Sequence, residues 1–347
     1  ERPKVEIPEM PFVDITETSG IKFVHESGAA GEKLLPESMG GGVAFLDYDG
    51  DGDPDILFVN SCRWPWDERP VEATPTMALY RNDGDCKFTD VTQAAGLNVT
   101  FYGQGVAVGD YDSDGDVDVY LTAVGQNHLY RNDSGRFVDV TESAGVGGTS
   151  DQWSSSTGFL DYDNDGDLDL FVCNYVKWTR EFDKAQPFTL TGGERAYGRP
   201  QEFPGTYPYL YRNDGEGKFT EVSESAGLRI RNPVRNEIFA GKSLGTTFGD
   251  FDNDGWPDIA TSIVKFKDGV SASGVRALTA QTVGGTLTDR SAWANFDIID
   301  IDATMDPEAA AAAMRSRHDV DYAQPRYINH AMSRPNDALY GSQWNFP

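Results

Sequence analysis

The sequence is poor in the groups that most enzymes and nucleic-acid binders depend on. Its 347 residues hold three cysteines and four histidines. His25, His128, His318 and His330 lie far apart, and none falls in the H-E-x-x-H spacing of a zinc hydrolase. No G-x-x-x-x-G-K-[ST] loop offers a phosphate cradle. Basic residues are scarce and unclustered: 29 Lys and Arg against 56 Asp and Glu leave a net charge of −27. That balance excludes the basic surface by which nucleic acids are held. No apolar run approaches the roughly 18 residues of a membrane-spanning helix. Nothing at Glu1 reads as a secretory leader, as expected of a processed form. Three cysteines allow at most one disulfide; a Cys62–Cys86 bridge and free buried thiols both remain open for Cys62, Cys86 and Cys173. Asn98-Val99-Thr100 and Asn132-Asp133-Ser134 match the glycosylation sequon, which in a bacterial protein is a chance match.

What the chain has in excess is aspartate, and it is bunched. Asp47–Asp55 reads DYDGDGDPD, and the pattern returns as DYDSDGDVD from Asp110, DYDNDGDLD from Asp161 and DFDNDGWPD from Asp250. Carboxylates fall at loop positions 1, 3, 5 and 9, with Gly at position 6, where a sharp turn is needed. Alternating inward oxygens and a backbone carbonyl at position 7 would wrap a hard cation. Oxygen donors without His or Cys favour calcium over a transition metal. The candidate ligands are Asp47, Asp49, Asp51, Asp53 and Asp55; Asp110, Asp112, Asp114, Asp116 and Asp118; Asp161, Asp163, Asp165, Asp167 and Asp169; and Asp250, Asp252, Asp254 and Asp258, with Trp256 at position 7 of the last loop. Four loops predict about four calcium ions, whose charge would relieve the repulsion among the carboxylates and so contribute to folding.

An EF-hand shares the D-x-D-x-D-G start but needs Glu at position 12 and flanking helices. Position 12 here is Phe58, Leu121, Val172 and Thr261, and the flanks are strand-like, as in Val43-Ala44-Phe45-Leu46 and Ile56-Leu57-Phe58-Val59. Each loop is therefore read as the turn of a β-hairpin. An acidic surface turn explains one copy; four in the same context point to metal.

Two further motifs share the repeat. FVDIT at Phe12 recurs as FTDVT at Phe88, FVDVT at Phe137 and FTEVS at Phe219; LYRND appears at Leu79, Leu129 and Leu210. LYRND with its Gly-containing turn and the following FxDV predicts two strands joined tightly. One unit is then about four short strands, and such a repeat signals an all-β fold, a β-propeller with about four recognisable blades. Insertions Glu26–Met39, Trp64–Thr76 and Trp178–Pro208 are expected at one rim, as a binding surface or as plain surface loops. Trp64, Trp66, Trp153, Trp178 and Trp256 lie near these loops; core packing is favoured over sugar or protein binding.

These units resemble the FG-GAP/VCBS calcium repeats of extracellular β-propellers. Gly40–Asp49, Arg195–Pro200 and Gly241–Gly245 are similar to bacterial cartilage-acidic-protein-like (ASPIC/UnbV-associated) proteins. The resemblance spans residues 1–262. It implies a secreted or cell-surface, calcium-stabilised binding domain with no enzymatic site, a protein or glycan partner, and adhesion or assembly as the role. The pattern stops inside the fourth unit, where no LYRND follows Asp258-Ile259-Ala260-Thr261.

Past Ser262 the composition changes. Strand-like Ile263–Lys267 and Phe296–Ile301, a helix within Ser273–Val283, and a second helix from Pro307 to about Arg317, capped by Asp306, predict a small α+β, ferredoxin-like unit over residues 263–332, with an extended tail at 333–347. This unit is similar to the pro-domain of subtilisin-like proteases, including VDYAQPRYINHA, yet no H-G-T-H or G-T-S-x-A occurs. Two other roles follow as alternatives: regulation of a subtilisin-like protease, or self-assembly through open strand edges.

Overall fold

The computed structural model describes residues 12–70, 74–190, 193–230, 239 and 241–250, and then the stretches 256–260, 264–266, 285–290, 297–301, 307–315, 320–323 and 328–330. Three complete four-stranded antiparallel sheets follow one another along the chain. The first holds β1 (Val43–Leu46), β2 (Asp55–Phe58), β3 (Ala78–Asn82) and β4 (Phe88–Asp90). The second holds β5 (Gly103–Gly109), β6 (Asp118–Ala123), β7 (His128–Asn132) and β8 (Phe137–Asp139). The third holds β9 (Ser154–Leu160), β10 (Asp169–Asn174), β11 (Tyr209–Asn213) and β12 (Phe219–Glu221).

The expected division of labour holds in each sheet. The acidic loop joins the first two strands, LYRN makes the third, and FxD or FTE makes the fourth. β6 and β10 are buried along their whole length, because each lies within a sheet covered on both faces. Successive sheets share three apolar interfaces. Leu57, Leu79 and Leu97 of the first meet Val119, Leu121 and Tyr130 of the second. Tyr120 and Leu129 meet Leu170, Val172 and Tyr211 of the third. Leu160, Phe171 and Leu210 then meet Ile259 and Phe248. None of these sheets buries both faces alone, which is why stacking supplies the core.

The first FVDIT copy departs from the pattern: Phe12–Asp14 forms no strand, and a short helix α1 (Thr16–Ser19) follows it. The fourth unit supplies β13 (Thr247–Gly249) and β14 (Asp258–Ala260). The third strand of that sheet is β19 (Ile328–His330), from far along the chain. Between them lie β15 (Val264–Phe266), β16 (Gly285–Arg290), β17 (Asp297–Ile301), an α-helix at Pro307–Arg315 and β18 (Val320–Ala323). These four strands form one antiparallel sheet in the order β16-β17-β15-β18. The helix expected within Ser273–Val283 and the tail 333–347 lie outside the described residues. No described helix is long and apolar enough to cross a membrane.

The three insertions pack on one another. Leu34, Leu35, Trp64, Tyr102, Trp153, Trp178 and Phe203 form a single cluster. Trp64 stacks on Trp66, Tyr102 and Trp178 with ring centroids 5.1, 4.1 and 5.0 Å away. Beneath them Asp183 is fully buried and accepts from Leu35 N, Trp178 Nε1 and Arg195. These tryptophans are thus core, as favoured from the sequence. Cys62, Cys86 and Cys173 are free thiols. Asn132, in the second sequon, is fully buried and hydrogen-bonded, so the folded chain offers no acceptor there.

Candidate metal centres

Each hairpin turn is shaped by its own first aspartate. Asp47 accepts from the backbone of Gly50, Asp51 and Gly52 at 2.9, 3.1 and 2.9 Å. Asp110 accepts from Asp114 and Gly115, and Asp161 from Asp165 and Gly166. The chain reverses through two left-handed residues. Position 6 is Gly52, Gly115 or Gly166, at φ +90°, +97° and +98°, where a side chain would be strained. Position 4 is Gly50, Ser113 or Asn164, also at positive φ.

The outcome is three sets of converging carboxylates. Asp47, Asp49 and Asp55 bring one oxygen each to within 4.8 Å of one another, as do Asp110, Asp112 and Asp118, and Asp161, Asp163 and Asp169. The gathered positions are 1, 3 and 9. The position-5 residues Asp51, Asp114 and Asp165 turn an oxygen to the backbone N–H of position 7 at 2.9–3.0 Å. Of the position-7 residues, Asp116 accepts from Ser134 of the neighbouring turn at 2.7 Å, while Asp53 and Asp167 enter no gathered set. In the fourth loop Asp252 and Asp254 lie outside the described residues; Asp250 and Trp256 flank that gap, and Asp258 begins β14.

Position 9 is the anchor. Asp55, Asp118 and Asp169 are fully buried. One oxygen of each accepts from the position-2 backbone N–H, Tyr48, Tyr111 or Tyr162, at 2.9–3.1 Å. The other accepts from the backbone of Asn82, Asn132 or Asn213 at the end of the third strand, at 2.7–2.8 Å. Burial first, and then the charges of the position-3 and position-5 aspartates, push the Asp118 and Asp169 carboxyls up to about 7 against their backbone donors. Burial and neighbouring aspartates likewise raise Asp112 and Asp163. Each of these two also keeps a buried oxygen, Oδ1, with no protein partner. A buried acceptor without a donor is costly. Three carboxylates meeting around such an atom fit an oxygen-coordinated divalent cation, with calcium's tolerance of irregular geometry suiting a flexible turn.

The asparagine of LYRND is a functional residue that the sequence reading passed over. Asn132 Nδ2 donates to Val117 O and also to Tyr48 O, in the first sheet's acidic loop, at 3.2 and 2.8 Å. Asn213 repeats this with Leu168 O and Tyr111 O at 3.1 and 2.8 Å. The first and second acidic loops are thereby fastened to the third strand of the next sheet. The signal available was the recurrence of the same Asn in all three LYRND copies, Asn82, Asn132 and Asn213.

Comparison with known proteins places these features in a wider set. A model of the FG-GAP-like repeat matches residues 47–121, 110–172 and 202–261, together more than half of the chain. A model of the fervidolysin N-terminal prodomain matches residues 263–326. No curated protein matches. A solved structure of an Agrocybe aegerita lectin, described as recognising non-reducing terminal N-acetylglucosamine, is 16% identical, covers 64% of this chain and 60% of its own, and superposes with a TM-score of 0.26. The chain thus spans under two thirds of that lectin, and the superposition is too loose to carry an argument.

Proposed function

From a chain that belongs to the FG-GAP-like repeat family, we infer a calcium-stabilised, non-catalytic interaction module, acting in adhesion or assembly outside the cytoplasm. The observation that carries the reading is the threefold repetition of one carboxylate set, two copies of which hold a buried oxygen without a partner. In this reading the consecutive sheets are blades of a propeller, and the ions are structural. When bound, calcium supplies positive charge among the carboxylates. The chain's own groups do the rest: position 9 ties strands together and the Asn side chains tie sheets together. Millimolar extracellular calcium would fill sites of even modest affinity. We place a protein or glycan partner on the outer face of the insertions that enclose this buried cluster, because the repeat motifs do not include them. The likeness to cartilage-acidic-protein-like proteins rests on the segments Gly40–Asp49, Arg195–Pro200 and Gly241–Gly245, and supports the same role.

Thermal unfolding with calcium and with chelator tests the reading. Each site at about 100-fold excess over its dissociation constant contributes about 2.7 kcal/mol, so chelation lowers the melting temperature by many degrees. An unchanged melting temperature would remove the metal from the account.

A second reading is favoured by the prodomain match at 263–326 and by the sheet and helix found there: this region regulates a subtilisin-like protease. The full chain would then inhibit such an enzyme at micromolar concentration or below, which about 8 kcal/mol of binding energy provides; no inhibition at that level argues against it.

A further inference from the structure

The first strand of each repeat sheet carries an apolar side chain that is pressed onto the sheet before it. Val108 does this at the first interface and Phe159 at the second. Phe248 does it at the third, its ring edge-on to Phe171 at 6.2 Å. The same position in β1 is Phe45, which is 66% exposed, with Val43 beside it 56% exposed. Asn82 shows the same unused half: its Nδ2 donates to Pro54 O at 3.1 Å but has no counterpart of the second bond that Asn132 and Asn213 make to a preceding loop.

The segment ahead of β1 is already seated as the end of a preceding sheet. A Cβ on Gly20 would fall 2.5 Å from Phe88 O, as one on Gly96 would fall 2.8 Å from Phe137 O. Thr18 O accepts from Lys87 Nζ at 2.5 Å, and Lys22 N donates to Tyr80 Oη at 3.1 Å. Yet Phe12-Val13-Asp14, which stands where β4, β8 and β12 stand ahead of their own turns, pairs with no strand among the described residues; Phe12 is 91% and Val13 77% exposed.

At the other end the deficit is reversed. The fourth repeat sheet consists, among the described residues, of β13, β14 and β19. β19 takes the register of a third strand, since Ile259 faces Asn329 as Ile56 faces Tyr80. No fourth strand is laid beside it among the described residues. Among the described residues, Phe12–Asp14 thus stands at a fourth-strand position without a sheet, and β13-β14-β19 is a sheet without a fourth strand.

We propose that the exposed head, Phe12–Asp14 with Val43, Phe45 and Asn82, docks onto the fourth repeat sheet of a second copy of this chain. Phe12–Asp14 adds beside the partner copy's β19, and Val43 and Phe45 take against that sheet the place that Val106 and Val108 take against the first sheet within one chain. A strand edge and an apolar face both favour such addition. The contact is head-to-tail, so repetition gives a ring or a filament. A net charge of −27 opposes it, and cation binding relieves that repulsion. Only this calcium dependence rests on the function proposed above.

Sedimentation velocity of the full chain in calcium tests the docking. The wild type is expected to rise with concentration from 38.1 kDa to about twice that mass and beyond. Phe45→Glu, and independently Val13→Pro, which removes a ladder donor, should weaken association by about tenfold or more. Both should keep the wild-type melting shift with calcium, so a failure of the metal reading is seen separately. A wild type that stays at 38.1 kDa at every concentration overturns the proposal, whether its head is free or folded back on its own tail. So does a Phe45→Glu chain that assembles like the wild type.

Discussion

Asp118 and Asp112 face the same centre in different roles. Asp118 spends its oxygens on the backbone of Tyr111 and Asn132, whereas Asp112 keeps a buried oxygen with no protein partner. Substitution should separate the two roles. Asp118→Asn replaces an acceptor by a donor facing an N–H, and should cost about 1–3 kcal/mol even in chelator. Asp112→Asn should leave the chelated protein at least as stable as wild type, because it removes a like charge, while shrinking the stabilisation that calcium adds. Paired denaturant titrations with and without calcium read both. Asn132→Ala is a third case. It removes a fully buried side chain and strips Tyr48 O of its donor, and should lower stability by about 1–3 kcal/mol in either condition, seen in the same titrations.

Among the elements, the hairpins were the most legible. Acidic turn, apolar flanks and the Asn-Asp-Gly turn each state a local geometry, and β1–β2, β3–β4 and their repeats form as read. The loop ligands were legible only as a set. Alternation puts five aspartates on offer, but Asp51, Asp114 and Asp165 satisfy backbone N–H groups that only the folded turn creates. Long-range elements left no trace in spacing. β19 joins β14 across about seventy residues, and the insertions meet through Glu32, which takes Arg180 and Lys184 at 2.7 Å each. The Arg180 guanidinium first, with Lys184, holds the Glu32 carboxyl down to about 2. A depressed folded value means stabilisation that is present above the unfolded value near 4.3 and lost as pH falls toward 2. Glu32→Gln should therefore cost about 1 kcal/mol at neutral pH and nothing at the acid end of that window, measured as the difference in unfolding free energy from wild type.

Over the whole molecule, stacked sheets and clustered charge oppose each other. The sheets bury their faces only by stacking, and stacking brings the acidic loops of a chain with charge −27 together. The Asp118 and Asp169 carboxyls, raised to about 7, bind protons in the folded chain that an unfolded aspartate near 3.9 has given up. Stability of the chelated protein should thus fall as pH rises from about 4 to about 7. In saturating calcium the trend should reverse, since protons compete with the ion for the same oxygens. Melting curves at matched pH values in the two conditions would show the crossing.

If the three carboxylate sets are cation sites, an anomalous-scattering map from crystals grown in calcium will show the ions themselves. A peak is expected between Asp47, Asp49 and Asp55, another between Asp110, Asp112 and Asp118, and a third between Asp161, Asp163 and Asp169, each bonded to its carboxylates at about 2.3–2.6 Å. A map without peaks at those turns, with the Asp112 and Asp163 carboxyls rotated to water or to another protein donor, would contradict that reading.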